Sequence, residues 1–584
     1  MSEPAFPLDA DQLAAACVDP GRRQVVLAGP GSGKTQVVAE LLRHLVQEEG
    51  LVPGDELLVV SFSRAAVAAV HRRSSGLRGV GVRTLDSLAS RLLDELGDDE
   101  WRASTFDERI RVATELLSRE GSEELEGLRH LVVDEAQDVV GIRAEFLSAV
   151  LSSLDESAGF TLLGDPMQAI YDFQQLGRPS RSLLTEVAQD DAVAKVTLRG
   201  QYRAASDQTD KLLAMGRALD LLKADDMATA LEKSLSELLP LAGYEQLADL
   251  TERWRGTTAI LCRTNGEALL VAGELRARSV DVQLQSGAQD AGVAPYVAAI
   301  AARSPSDTPT RQQLHDWLTE FDHPDPSGAV RILADLVRAR ADTIPLTQLA
   351  RRLASGAVPQ DLLGTPTARV TVSTVHRAKG LEYDNVILVD PHSWLRDERD
   401  KEGACRTVFV ALTRARSRVA TMTGPPRFAC RLDPSTQRWI VPGREPWMTH
   451  GFEFRVTDLR GTAPHGGEHA VEVQARLLRL ADGARRLSLE LAPDRSTLDV
   501  PTYVAVLDGT GVGETSVEFG ESLARRVRTA HRRSARAWPL LGDVALESVE
   551  TLSGAPTGTG QLGAAGRWGL WASPRASGMV AVEW

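Results

Sequence analysis

The sequence predicts an α/β protein. Two parallel-sheet domains lie in tandem, with a small all-α insertion in the second and a β-rich C-terminal domain. Three observations carry this reading. From Gln24 to about Thr423, short continuous apolar runs alternate with amphipathic helical patterns, as strands buried on both faces of a parallel sheet require. Between about 288 and 366 the strand-like runs vanish. From about 431, prolines and glycines become frequent and short alternating runs return.

Taken in order, Gln24–Leu27, Leu57–Phe62, Leu131–Val133 and Thr161–Leu163 are the strands expected of the first sheet. The helix after the first strand places Val37, Val38, Leu41, Leu42, Leu45 and Val46 on one face and stops at Gly50. Ala259–Cys262, Arg369–Ser373, Val386–Val389 and Val419–Met422 are expected in the second sheet. Helices are expected over Ala329–Leu336 and Leu346–Leu353, among prolines, within the insertion 288–366. In the last domain, Val471–Leu477, Leu487–Leu491, Thr502–Leu507 and Met579–Trp584 read as strands. The expected boundaries are therefore 1–200, then 201–287 with 367–430, then 288–366, then 431–584.

At 584 residues the chain is too long for one core. Its net charge of −14 argues against a generic nucleic-acid coat. Residues 431–584 hold 18 Arg and 18 Asp+Glu, so the whole excess lies in residues 1–430. Only seven of the 66 basic residues are lysines, so a lysine inside a motif is less a matter of chance. No run approaches 18 apolar residues, and the first residues lack the pattern of a secretory signal. The four cysteines have no metal-ligand spacing, and a reduced, cytoplasmic setting is expected.

The strongest local signal is Ala28-Gly29-Pro30-Gly31-Ser32-Gly33-Lys34-Thr35, after a strand and opening a helix. Its glycines let backbone N–H groups converge on phosphate oxygens, and the helix N-terminus adds positive potential. Gly29, Gly31, Ser32 and Gly33 would form the cradle, Lys34 would reach the β/γ-phosphates, and Thr35 would ligate Mg²⁺. Farther along, Leu131-Val132-Val133-Asp134-Glu135-Ala136-Gln137-Asp138 sets paired acids at a strand's C-terminal end. There Asp134 would hold Mg²⁺ and Glu135 would polarise an attacking water.

From residue 8 to about 423 the chain resembles a superfamily 1A helicase of the UvrD/Rep/PcrA type, whose motor is a pair of RecA-like domains. Leu8-Asp9-Ala10-Asp11-Gln12 resembles the Q motif, with Gln12 on the adenine edge. Val60-Ser61-Phe62-Ser63 resembles motif Ia, with Phe62 stacking on single-stranded DNA, and Thr84-Leu85-Asp86-Ser87 stands at motif Ib. Leu163–Phe173 resembles motif III, implying a γ-phosphate sensor at Gln168 and DNA contacts at Tyr171 and Phe173. Leu198–Arg203 resembles motif IV, with Tyr202 on adenine and Arg203 as an arginine finger. Thr374–Tyr383 resembles motif V, implying nucleotide contacts at Gly380 and Glu382 and DNA contacts at Thr374 and His376. Val410–Ala415 resembles motif VI, with Arg414 as a second arginine on the γ-phosphate.

The resemblance implies ATP and Mg²⁺ as cofactors, single-stranded DNA as partner, and 3′–5′ movement coupled to hydrolysis at the junction of the RecA-like domains. It also leaves room for an NTPase sensor or assembly subunit, with a nuclease or repair protein as partner and no membrane. Several positions depart from the family, so the DNA grip is less supported than the ATP chemistry. Asp86 stands where the family has His, Gln174-Gln175-Leu176 where it often has Arg-Gly-Ala, Gln36 where an Arg often sandwiches adenine, Gln201 where it has Asn, and Gly403-Ala404-Cys405 where motif VI opens with charged residues. The accessory insertions are short, at 94–126 and 288–366. Beyond the motor, Arg525, Arg526, Arg528, His531, Arg532, Arg533 and Arg536 form a basic run along an expected helix, a phosphate-binding segment, a solvated face or a contact with the acidic motor.

Overall fold

The four inner strands of the first sheet divide their side chains between two cores, which is why their apolar runs are continuous. The fold is that of a computed structural model. It describes residues 7–583 apart from 62–81, 96–104, 171–182, 531–537, 557–564 and short gaps within 286–291, 356–367, 427–428, 446–447 and 481–484. The first sheet holds β1 (Arg23–Ala28), β2 (Leu57–Ser61), β3 (Val82–Thr84), β4 (His130–Asp134), β5 (Gly159–Gly164) and β6 (Ala194–Leu198). Their order is β3-β2-β4-β5-β1-β6, and every pairing is parallel. Val25, Leu58, Val60, Leu131 and Val133 enter one core; their neighbours Val26, Leu57, Val59 and Val132 enter the other. The helix Lys34–Gln47 covers the second face with Val37, Val38, Leu41, Leu42 and Leu45. Helices Leu85–Glu95, Phe106–Glu120 and Ile142–Ser152 cover the first.

The second sheet holds β7 (Leu239–Leu241), β8 (Thr258–Cys262), β9 (Val282–Leu284), β10 (Val370–Thr374), β11 (Tyr383–Val389) and β12 (Ala415–Met422), in the order β7-β12-β11-β8-β10-β9. β10 pairs in parallel with β8 and β9. The third sheet is antiparallel and contains β13 (Arg431–Asp433), β14 (Arg438–Pro442), β15 (Thr449–Phe454), β16 (Arg485–Leu491), β17 (Tyr503–Leu507), β18 (Thr510–Glu514), β19 (Leu540–Ser553) and β20 (Leu570–Glu583). Its order is β13-β14-β15-β20-β19-β16-β17-β18. The expected fold class is the one observed: two RecA-like six-stranded sheets and a separate antiparallel sheet.

The chain divides into two compact units, residues 1–240 with 378–421 and residues 241–377 with 422–584. Within the second unit the antiparallel sheet is tied to the segments that precede it. Thr551 donates its N–H to the Val293 carbonyl at 2.8 Å and its hydroxyl to Ala294 at 2.7 Å. Leu570 of β20 lies in the core of the helices Tyr296–Arg303, Arg311–Glu320, Pro326–Leu336 and Leu346–Ala354. Buried Glu547 of β19 pairs with Arg276 at 2.6 Å.

Two C-terminal features differ from expectation. Val471–Leu477 lies in a helix, Ala470–Leu478, not a strand. Its buried positions are Ala470, Val473, Gln474 and Leu477, an i, i+3, i+4, i+7 set that only a helix puts on one face. The basic run begins on the helix Val517–Ala530, as expected, but two of its members bind their own sheet. Arg526 is buried and donates to Thr449 Oγ1 at 2.8 Å, and Arg525 donates to the Ser435 carbonyl. His531, Arg532, Arg533 and Arg536 lie outside the described residues.

Candidate active site

Parallel strands deliver their C-terminal ends to one edge, and the sequence motifs of the first unit lie there. The loop after β1 bends because Gly31 and Gly33 both take φ +80°, a left-handed conformation open to glycine. Neighbouring side chains also crowd both positions. A β-carbon on Gly31 would stand 2.1 Å from Gln201 Oε1, and one on Gly33 would stand 2.4 Å from Gln12 Nε2. Gln12, Gln201 and Tyr202 thus pack directly on the loop. Gln12 donates to the Ser32 carbonyl at 3.0 Å, and Gln201 donates to the Pro30 carbonyl at 2.9 Å. The Tyr202 N–H bonds the Gly31 carbonyl at 2.8 Å, while its phenol bonds Asp9 and its ring is exposed. Gln201 therefore clamps the loop.

Lys34 opens the helix and meets the acids that end β4. Its Nζ lies 2.6 Å from Glu135 Oε1 and 3.6 Å from Asp134 Oδ1. Burial alone would discharge Lys34, but these two carboxylates outweigh it and raise its pKa. Burial pushes Asp134 above the usual carboxylate range, against the pull of Lys34. For Glu135 burial acts the same way, but Lys34 and Lys379 overcome it and hold the carboxyl low. Glu135 also sits at φ 57°, ψ 38°, an uncommon backbone for a residue with a β-carbon.

From these acids a line of hydrogen bonds leads to the arginines. Gln137 bonds Glu135 and the Asp165 N–H, and Gln168 Nε2 donates to Asp165 Oδ2 at 2.7 Å. Gln168 Oε1 accepts from Arg414 Nη2 at 3.0 Å. Arg414 is buried, and burial with Arg203 nearby lowers its pKa to about 10. Arg203 donates to the Thr413 carbonyl at 3.0 Å and pairs with Glu382 at 2.6 Å. Glu382 also accepts from Arg416 at 2.8 Å. Lys379 pairs with Asp138 and donates to the Gln168 carbonyl. Burial drives the pair toward neutrality from both sides, raising Asp138 to about 7 and lowering Lys379.

The expected residues therefore divide into groups. Gln12, Lys34, Asp134, Glu135, Gln168, Tyr202, Arg203 and Arg414 are joined by these contacts to the loop or to one another. Gly380, at φ +78°, follows Lys379. Thr84 ends β3 and caps the next helix by accepting from the Ser87 N–H at 3.2 Å. Thr374, buried at the end of β10, and half-buried His376 belong to the second unit. Phe62, Tyr171 and Phe173 lie outside the described residues. Asp86, expected to repel phosphate, is neutralised by Arg143 at 2.7 Å. Sequence reasoning assigned nothing to Gln137, Asp138, Asp165 or Arg416; the run of acids and amide in DEAQD was the one available signal.

The residues of the site fit phosphate and Mg²⁺. Ser32 Oγ is buried in the loop without a hydrogen-bond partner, as a cradle for a phosphate oxygen would leave it. Among the described residues no group of three or more His, Cys, Asp or Glu forms a metal cage. One carboxylate and one hydroxyl, Asp134 and Thr35, suit a Mg²⁺ that takes its other ligands from phosphate and water. No described helix is long and apolar enough to cross a membrane.

Residues 12–174 match the family described as an AAA domain, and residues 369–421 match the UvrD-like helicase C-terminal domain. A putative ATP-dependent DNA helicase of Acanthamoeba polyphaga mimivirus is 28% identical over 267 residues, 41% of this chain and 36% of that protein. The putative ATP-dependent DNA helicase YjcD of Bacillus subtilis is 31% identical over 150 residues, 24% of this chain and 19% of that protein. ATP-dependent DNA helicase UvrD2 of Mycobacterium tuberculosis is 25% identical over 440 residues, 65% of this chain and 59% of that protein. The chain thus spans between a fifth and three fifths of these relatives' lengths. Over residues 12–174 and 369–421 the chain is similar to UvrD/Rep-type superfamily 1 proteins, and the relatives it matches are named ATP-dependent DNA helicases.

Proposed function

We propose that the chain is an ATP-driven DNA helicase or translocase that moves 3′–5′ on single-stranded DNA. The observation that carries this reading is the convergence of Lys34 with Asp134 and Glu135 beneath a glycine-bent loop. In this reading Gly29, Gly31, Ser32, Gly33 and Lys34 bind the phosphates, and Gln12 and Tyr202 border the base. Thr35 and Asp134 hold Mg²⁺, which when bound neutralises charge on the phosphate oxygens. Glu135 accepts the proton of the attacking water, and Gln168 reports the γ-phosphate. Arg203 and Arg414 stabilise the spreading negative charge, a task suited to a planar guanidinium. Gly380 and Glu382 border the nucleotide, while Phe62, Thr84, Tyr171, Phe173, Thr374 and His376 contact the strand.

The test is ATP hydrolysis with and without single-stranded DNA, followed by unwinding of duplexes with a 3′ or a 5′ tail. The reading expects stimulation by DNA and opening of the 3′-tailed duplex alone. No stimulation by any nucleic acid would overturn it. A second reading is a UvrD-like NTPase sensor or assembly subunit beside a partner nuclease or repair protein. The net charge of −14 and the short insertions support it, and it expects hydrolysis without unwinding of either duplex.

A further inference from the structure

Gln137 is fully buried two residues beyond Glu135, and both ends of its amide are engaged. Nε2 donates to Glu135 Oε2 at 2.5 Å and lies 3.4 Å from Asp138 Oδ2. Oε1 accepts the Asp165 N–H at 3.1 Å. Chemistry fixes this orientation, because a flipped amide would turn its oxygen toward two carboxylates and its nitrogen toward an N–H. The slot is also tight. A β-carbon on Gly164, at the end of β5, would lie 2.6 Å from Gln137 Oε1.

Glu135 needs such a support. Its backbone is left-handed, and its carboxylate has one partner on each oxygen, Lys34 on Oε1 and Gln137 on Oε2. Lys34 is the partner that phosphate would draw away. Gln137 has no such competing role, and its far end is anchored to main chain.

We propose that Gln137 is a positioning residue for hydrolysis, holding the Glu135 carboxylate where it takes a proton from the attacking water. This rests on the reading of Glu135 as the general base. In that step the water oxygen bonds the γ-phosphorus as its proton passes to Glu135. The bond from phosphorus to the bridging oxygen breaks, and its electron pair leaves with ADP. Because Gln137 also binds Asp165, which binds Gln168, the base is connected by hydrogen bonds to Arg414.

The test is Gln137→Met in the full chain, which keeps length and removes both polar atoms. Expected is a fall in kcat of about tenfold to a hundredfold, the cost of a misplaced catalytic group. KM for ATP and Kd for a non-hydrolysable ATP analogue should stay within about threefold, since phosphate binding is left intact. In a Glu135→Gln background, the same substitution should change the single-turnover rate by less than about twofold. Gly164→Ala, which crowds the amide, should reproduce the kcat loss, and serves if Gln137→Met does not fold. An unchanged kcat, or an equal loss in both backgrounds, would overturn the proposal. Undiminished hydrolysis by Glu135→Gln would instead overturn the reading of Glu135 itself.

Discussion

Arg203 and Glu382 form a 2.6 Å ion pair, and Arg416 closes on the same carboxylate from its other oxygen at 2.8 Å. The resemblance to the helicase family puts Arg203 on the γ-phosphate and Glu382 beside the nucleotide. Here each residue holds the other, and Arg203 is further fixed by the Thr413 carbonyl. Arg203→Ala should lower kcat by about 10³–10⁵, the usual worth of an arginine finger. Arg203→Lys should not restore it, because an ammonium cannot span two acceptors as a guanidinium does. Glu382→Gln leaves the finger in place and should cost far less. Steady-state hydrolysis at saturating DNA checks the ranking, and a Glu382→Gln loss matching that of Arg203→Ala would contradict it.

His130, fully buried at the start of β4, should make the first unit acid-sensitive. Its Nδ1 lies 2.7 Å from the Pro20 carbonyl and must donate. Its Nε2, 3.0 Å from Thr161 Oγ1, must then accept the hydroxyl proton, while that oxygen accepts from Gln24. Both bonds suit the neutral ring, and burial lowers its pKa from 6.5 to about 4. Between those values the unfolded chain binds the extra proton, so stability falls as pH drops from about 6.5 to 4. The loss is about 3 kcal/mol in all. Urea midpoints from pH 7 to 4 should show this slope in wild type and a flatter one in His130→Gln. Equal slopes would contradict the assignment.

Arg438 and Asp458 form a buried bidentate pair, at 2.7 and 2.8 Å, inside the antiparallel sheet. The guanidinium also lies over the rings of Phe452 and Phe519. Removing Arg438 strands a carboxylate that burial already pushes upward. Arg438→Ala should therefore cost about 3–5 kcal/mol. Arg438→Asn/Asp458→Asn together should lose less than the sum of the single changes. Thermal denaturation of the full chain reads both, and additive losses would refute the coupling.

Much of this was legible in the sequence where the determinants are local. Lys34 and Thr35 are set by a strand, a glycine turn and a helix start, all within one short segment. The strands β1, β4, β5 and β8 announced themselves because burial on both faces favours continuous apolar runs such as Leu131–Val133 and Ala259–Cys262. Contacts between distant segments were not legible. Nothing near Glu382 indicates that Arg203 will bind it, and nothing near Asp86 indicates Arg143. At Val471–Leu477 two periods fit so short a run, and packing of Val473 and Leu477 into the sheet's core decided for helix. Arg526 read as a surface charge because its partners, Thr449 and Asp433, lie on strands far back in the chain.

In the proposed mechanism Glu135, held between Lys34 and Gln137, takes the proton during ATP hydrolysis. Single-turnover hydrolysis by Glu135→Gln, beside its affinity for a non-hydrolysable ATP analogue, tests it most directly. The rate should fall about 10²–10⁴ below wild type with affinity retained. Hydrolysis at the wild-type rate by Glu135→Gln would contradict it.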